Sequence, residues 1–176
     1  MKKILVVVDM QKDFIDGALG TKEAESIVPA AAEKIRSYDG DEIFVTFDTH
    51  YADYSDTLEG QRLPVPHCIE GTPGHELDSH IRLALENKEY TKVIKTTFGT
   101  FEIGKIMRRK YPGEELEAEF IGLCTDICVI SNVLILRAFY PDSVIRVFAG
   151  CCAGVTPEAH EAALTAMKSC QIDVVE

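Results

Sequence analysis

The 176-residue sequence predicts a single doubly wound α/β domain, with a mainly parallel sheet flanked by helices on both faces. Three observations carry that prediction. Lys3–Val8 is an unbroken aliphatic run, as in a central strand buried on both faces. Strand-like runs and amphipathic helical stretches alternate along the whole length. Glu119–Val133 passes from an apolar run through a tight turn to helical spacing, which is how such a sheet presents chemistry at its carboxyl edge.

The bulk numbers agree with one domain over 1–176. Hydrophobic content of 46% and charged content of 27% are those of an ordinary globular protein. A net charge of −11 argues against a nucleic-acid surface or an anionic membrane as partner. No apolar stretch approaches the roughly 18 residues a membrane helix needs. The start, MKKILVVVDM, has the charge of a signal peptide, but its apolar run is five residues long and ends at Asp9, so it reads as a strand. Six cysteines without an export signal should be reduced, which implies a cytoplasmic protein.

In chain order, the first strand ends at Asp9. Glu23–Tyr38 repeats apolar residues at helical spacing (Ile27, Ala30, Ala31, Ile35) and stops at Asp39-Gly40. Glu42–Phe47 is a second strand, ending in Asp48-Thr49-His50. A long polar loop without periodicity follows, and loops of that length are commonly functional. Gly71–Gly74 turns the chain into a helix around Glu76–Glu86. Lys92–Ile94 is a third strand ending at Lys95, Phe101–Lys110 a short amphipathic helix, and Glu117–Leu123 the fourth strand. The helix carrying Cys128 runs to about Phe139. Ser143–Phe148 is a fifth strand, Pro157–Cys170 a helix capped by Thr156 with proline in its first position, and Ile172–Val175 an edge strand.

Asp9, Lys95 and Cys128 each follow a predicted strand at its carboxyl end, and in a parallel sheet those ends converge. A cysteine attacks a carbonyl as its thiolate, an aspartate takes and returns the proton, and a lysine holds the anions close. The first turn of a helix favours a thiolate at Cys128. Its backbone N–H, with one from the Cys124–Thr125 turn, can form an oxyanion hole. Against this stands the ordinary fate of a free cysteine, burial as a small hydrophobe.

The blocks VDMQKDF, FDTH, LPVPHCIEGTPG, IKTTFGTF and GLCTDICV, in that order, resemble the isochorismatase-like cysteine hydrolases and, among them, the nicotinamidase branch. The resemblance runs from Lys3 to about Pro157. It implies that Asp9, Lys95 and Cys128 form a catalytic triad, that the oxyanion hole uses the backbone of Cys124 and Cys128, and that the Leu123–Cys124 peptide bond is cis. The implied reaction is hydrolysis of a small carboxamide through a thioester, nicotinamide to nicotinate and ammonia first of all. Another amide, carbamoyl or ureide substrate is the rival within the class. A non-catalytic relative, or a thiol redox protein using Cys124 and Cys128, is the rival outside it. A homo-oligomer is also implied.

Asp48 and His50 lie two apart on one loop, and His67 approaches from its far end; one carboxylate and two imidazoles suit zinc or another borderline divalent ion. The resemblance strengthens a metal beside the triad, zinc with manganese or iron as alternatives, where it would hold the pyridine nitrogen of the substrate. Glu59 is a possible fourth ligand. Cys68 is left out because adjacent extended residues point apart. His75, His80 and His160 read as polar-face residues without a role. The expected pocket wall is Phe14, Leu63, Phe98 and Ile127. Leu63-Pro64-Val65 stands where nicotinamidases often carry an aromatic residue, and Ile127 replaces their usual Tyr or His. These departures touch specificity and leave the triad intact.

Overall fold

A computed structural model describes all 176 residues. Six strands form one sheet: β1 (Lys2–Val8), β2 (Glu42–Asp48), β3 (Thr91–Lys95), β4 (Leu116–Leu123), β5 (Val144–Ala153) and β6 (Asp173–Val175). Every neighbouring pair is parallel, and the spatial order is β3-β2-β1-β4-β5-β6. The chain leaves β1 toward β2 and β3 on one side and returns to β4 on the other. The switch point therefore lies between β1 and β4, where open α/β sheets bind ligands.

Alternate side chains of β1 feed the two halves of the core. Ile4, Val6 and Val8 pack against α5 (Phe101–Lys110), α6 (Ile130–Phe139) and α7 (Pro157–Ser169). Leu5 and Val7 pack against α1 (Lys12–Ile15), α2 (Lys22–Ser37) and α4 (Ser79–Leu85). Burial on both faces is why β1 is apolar at every position from Ile4 to Val8 and not at every second one. No helix is long and apolar enough to cross a membrane.

The differences from the sequence reading lie at element ends. The helix expected from Glu76 begins only at Ser79, because the Asp78 side chain caps it by accepting from the His80 and Ile81 amides; Pro73–His75 forms a separate 3-10 turn. The fifth strand does not stop at Phe148. It shifts register between Phe120 and Gly122 of β4 and pairs again through Cys152 and Ala153, which no period-2 pattern announces. The long loop is not featureless: it holds a 3-10 turn at Tyr54–Asp56 and a short helix, α3 (Leu58–Arg62), capped by Thr57.

Candidate active site

The carboxyl ends of β1, β2 and β3 deliver Asp9, Asp48 and Lys95, and the turn after β4 delivers Cys128. Asp9 is fully buried with a positive φ of 47°, a turn that takes its side chain off the strand and back across the sheet end. Thr46, on β2, fixes that side chain from two directions: its Oγ1 accepts from the Asp9 amide at 3.1 Å and donates to Asp9 Oδ1 at 2.6 Å. The other carboxylate oxygen lies 2.7 Å from Lys95 Nζ, and the same ammonium stands 3.5 Å from Cys128 Sγ. Cys128 sits in a π-helical turn, Thr125–Val129, that leads into α6. The structure thus brings Asp9, Lys95 and Cys128 together.

Burial sets the protonation states. It pushes the Cys128 thiol well up, the Asp9 charge adds to this, and Lys95 opposes without reversing it. Burial thus opposes the thiolate that a helix start favours at Cys128, while the Lys95 charge supports it. Asp9 is itself raised by burial against the pull of Lys95. Lys95 also loses solvation, but Asp9, Cys128 and Asp48 surround it and hold it charged. The Leu123–Cys124 peptide bond is cis, and the Cys124 amide donates to no acceptor in the protein. The Cys124 carbonyl accepts from the Ile127 and Val129 amides, which closes the turn around Cys128.

Asp48, His50 and His67 are all buried, and their ligand atoms lie within 4.8 Å of one another. Asp48 Oδ2 is 3.0 Å from His50 Nε2 and 3.6 Å from His67 Nε2; Glu59 Oε1, from α3, is 3.6 Å and 3.7 Å from the same two nitrogens. Donors about 2.0–2.1 Å from a common zinc ion in a tetrahedron stand about 3.3 Å apart, so the spacing fits such an ion. The His67 Nδ1 is 2.9 Å from the Val65 carbonyl, which fixes the tautomer and turns Nε2 into the cluster. His50 Nε2 is buried without a well-aligned hydrogen bond, the state of a ligand atom. Burial pushes the Asp48 carboxyl up, but its bond to His50 and the Lys95 charge outweigh that and keep it low. Asp48 also joins this cluster to the triad, since its Oδ1 lies 2.9 Å from Lys95 Nζ. Cys68 stays outside: its backbone is left-handed (φ 45°), and its amide donates to Asp13 Oδ2.

A cavity of about 270 Å³ opens between the triad and the cluster, lined by all four expected wall residues, Phe14, Leu63, Phe98 and Ile127, and by Asp48, Glu59, His67, Cys124 and Cys128. That volume falls below the roughly 300–1,000 Å³ of drug-sized sites, and suits a one-ring molecule. Leu19, Thr21 and Val155 also line it and were not foreseen, because loop residues reach a pocket only through tertiary placement.

Five polar residues escaped the sequence reading. Thr46 is hidden inside an apolar strand. Gln11 clamps the Asp48 backbone on both sides, donating to its carbonyl at 2.9 Å and accepting from its amide at 2.8 Å. Asn132 donates to the Cys128 carbonyl at 2.8 Å. His160, read as a bystander, stands 2.8 Å from the Thr125 hydroxyl in the cysteine's turn, as His75 does at 2.9 Å from Thr49. A polar residue on a buried helix face, such as Asn132 four positions after Cys128, was the one readable signal among them.

Known proteins share this arrangement of chain and sheet. The nicotinamidase/pyrazinamidase of Mycobacterium tuberculosis is 27% identical over 190 aligned positions, 98% of each chain. The crystal structure of the nicotinamidase/pyrazinamidase PncA of Bacillus subtilis superposes with a TM-score of 0.85 at 30% identity over the whole of both chains. The pyrazinamidase of Pyrococcus horikoshii, solved in complex with zinc, superposes with a TM-score of 0.81 at 27% identity, over 100% of this chain and 99% of that one. Residues 3–176 match the Isochorismatase domain, and with all but the first two residues inside that match the chain belongs to the isochorismatase family.

Proposed function

We propose that this protein is a cysteine amidohydrolase that converts nicotinamide to nicotinate and ammonia through a thioester on Cys128. The observation that carries the reading is Lys95 Nζ, which touches Asp9 at 2.7 Å and Cys128 Sγ at 3.5 Å beside a one-ring cavity. In the first half-reaction Asp9 takes the Cys128 proton as the sulfur attacks the amide carbon. The Cys124 and Cys128 amides hold the resulting oxyanion. Asp9 then passes the proton to the departing nitrogen, and ammonia leaves. In the second half-reaction Asp9 takes a proton from water as the oxygen attacks the thioester, and the proton returns to the sulfur as the acid departs. Lys95 keeps Asp9 anionic between these steps.

Asp48, His50 and His67, with Glu59 as fourth ligand, would hold a divalent metal. Two imidazoles and carboxylates suit zinc, with manganese or iron as alternatives. When bound, such an ion would supply a Lewis acid for a ring nitrogen of the substrate. The free cysteines fit a reducing compartment such as the cytoplasm. A second reading, another small amide or ureide as substrate, draws on the aliphatic wall of Leu19, Leu63, Ile127 and Val155.

The test is ammonia release from nicotinamide by metal-loaded protein, with Cys128→Ala alongside and a panel of small amides and ureides. Turnover on nicotinamide, lost by more than about 10⁴-fold in the variant, is expected for a covalent nucleophile. Turnover on another panel member alone would move the assignment to the second reading. Unchanged rates in Cys128→Ala would overturn the thioester mechanism.

A further inference from the structure

We propose that Asn132 is a positioning residue that hangs one wall of the substrate cavity from the nucleophile's own turn. Asn132 is 2% exposed on α6, four residues after Cys128. Its amide makes three bonds at once. Nδ2 donates to the Cys128 carbonyl at 2.8 Å and to the Phe98 carbonyl at 3.2 Å, while Oδ1 accepts from the Thr100 amide at 3.0 Å. Two carbonyls on one side and an N–H on the other leave no ambiguity in how the amide is turned.

Residues 96–100 run from the end of β3 to the start of α5 and carry Phe98 onto the cavity. The segment makes one hydrogen bond within itself, Thr97 Oγ1 to the Gly99 carbonyl. Apart from its junction with α5, where the Thr100 hydroxyl accepts from the Glu102 amide at 3.2 Å, its side-chain hydrogen bonds to the rest of the protein are the two to Asn132. Gly99 lies flat against α6, where a Cβ would come within 2.6 Å of Ile135 Cδ1 and 3.0 Å of Ser131 Cβ. Phe98 itself is 49% exposed and has little packing to hold it. The wall therefore takes its position from the side chain that also fixes the Cys128 carbonyl. The gap between Phe98 and the nucleophile is set by one amide group, and with it the thickness of the ring that can lie between them.

The inference rests on the amidohydrolase reading only for its kinetic arm, so the first readout is independent of activity. In Asn132→Ala, amide hydrogen exchange of 96–100 should rise at least tenfold, with exchange in the β-sheet unchanged. The second readout is a double-mutant cycle with Phe98→Ala on whichever amide the wild type hydrolyses best. Asn132→Ala should raise KM about as much as Phe98→Ala, and the double variant should add little, because both remove the same wall. Asn132→Asp keeps an acceptor for the Thr100 amide but sets a second oxygen against the Cys128 and Phe98 carbonyls, and its KM should rise at least as far as that of Asn132→Ala. Unchanged exchange in 96–100, or KM effects that multiply in the double variant, would overturn the proposal. If no amide is turned over, the kinetic arm lapses with the functional reading and the exchange result decides alone. If Asn132→Ala does not fold, Asn132→Ser, which is neutral and too short to bridge all three partners, carries both readouts.

Discussion

At the scale of single residues, Lys95 is the junction of the site. Its ammonium faces Asp9 and Cys128 on one side and Asp48 on the other, so one cation adjoins both the proposed triad and the Asp48/His50/His67 cluster. The Asp9 and Asp48 carboxylates around a buried lysine explain why it stays charged despite the cost of desolvation. Thr46 governs the other end of the triad. Its hydroxyl stabilises the Asp9 anion, so Thr46→Val should cost about 10–100-fold in kcat/KM, the worth of one hydrogen bond to a charged group. The pH profile gives the sign. Burial holds the Asp9 carboxyl above the ordinary carboxylate range, so kcat/KM should fall on the acid side at a pH above that range as Asp9 takes its proton. Removing the Thr46 donor favours the neutral acid, and the acid limb of Thr46→Val should move to higher pH. An unmoved limb would mean that Asp9 is not the base. Asp9, Lys95 and Cys128 were legible in the sequence because each lies at or just past the carboxyl end of a strand; Thr46 was not, because a threonine inside a buried strand looks like any other β-branched residue.

At the scale of elements, the join between β4 and α6 concentrates the constraints. Gly122 has a φ of 121°, and a Cβ there would overlap the Val8 backbone of the adjacent strand. Gly122→Ala should therefore destabilise by about 3 kcal/mol or more, since neither the conformation nor the space admits a side chain; a midpoint change in urea measures it. Thr156 offers a milder contrast. Its side chain accepts from the Ala159 amide at the start of α7, and Thr156→Ala should cost about 1 kcal/mol with activity kept. The α7 cap, with Pro157 behind it, was readable because capping is local. The start of α4 was misjudged because Pro73–His75 forms a turn of its own before Asp78 takes the cap.

At the scale of the whole molecule, the sheet order explains how residues 9, 48, 95 and 128 meet. With β1 central, β2 beside it and β3 next, their carboxyl ends stand side by side, and β4 closes the other flank. The metal ligands span the end of β2, α3 and the far end of the loop, so a bound ion would tie that loop to the sheet. Removing metal with a chelator should lower the melting temperature as well as raise KM. A ligand present at a hundredfold its dissociation constant stabilises the folded state by about 2.7 kcal/mol. A melting temperature indifferent to chelation would argue that Asp48, His50, His67 and Glu59 hold no ion.

Local pattern carried the alternation of strands and helices, the six-strand plan and the places of Asp9, Lys95 and Cys128 at or after strand ends, whereas the Asp48/His50/His67 set drew on the resemblance to nicotinamidases as much as on spacing. Those are properties of period, of element ends and of residue chemistry, all local along the chain. Tertiary placement alone sets Lys95 between Asp9, Asp48 and Cys128, buries Cys128, brings Glu59 within 3.7 Å of both imidazoles, and lets Asn132 join the Cys128 turn to the cavity wall. These depend on distances between residues far apart in the chain and on how completely water is excluded around them, and neither quantity is written in local pattern.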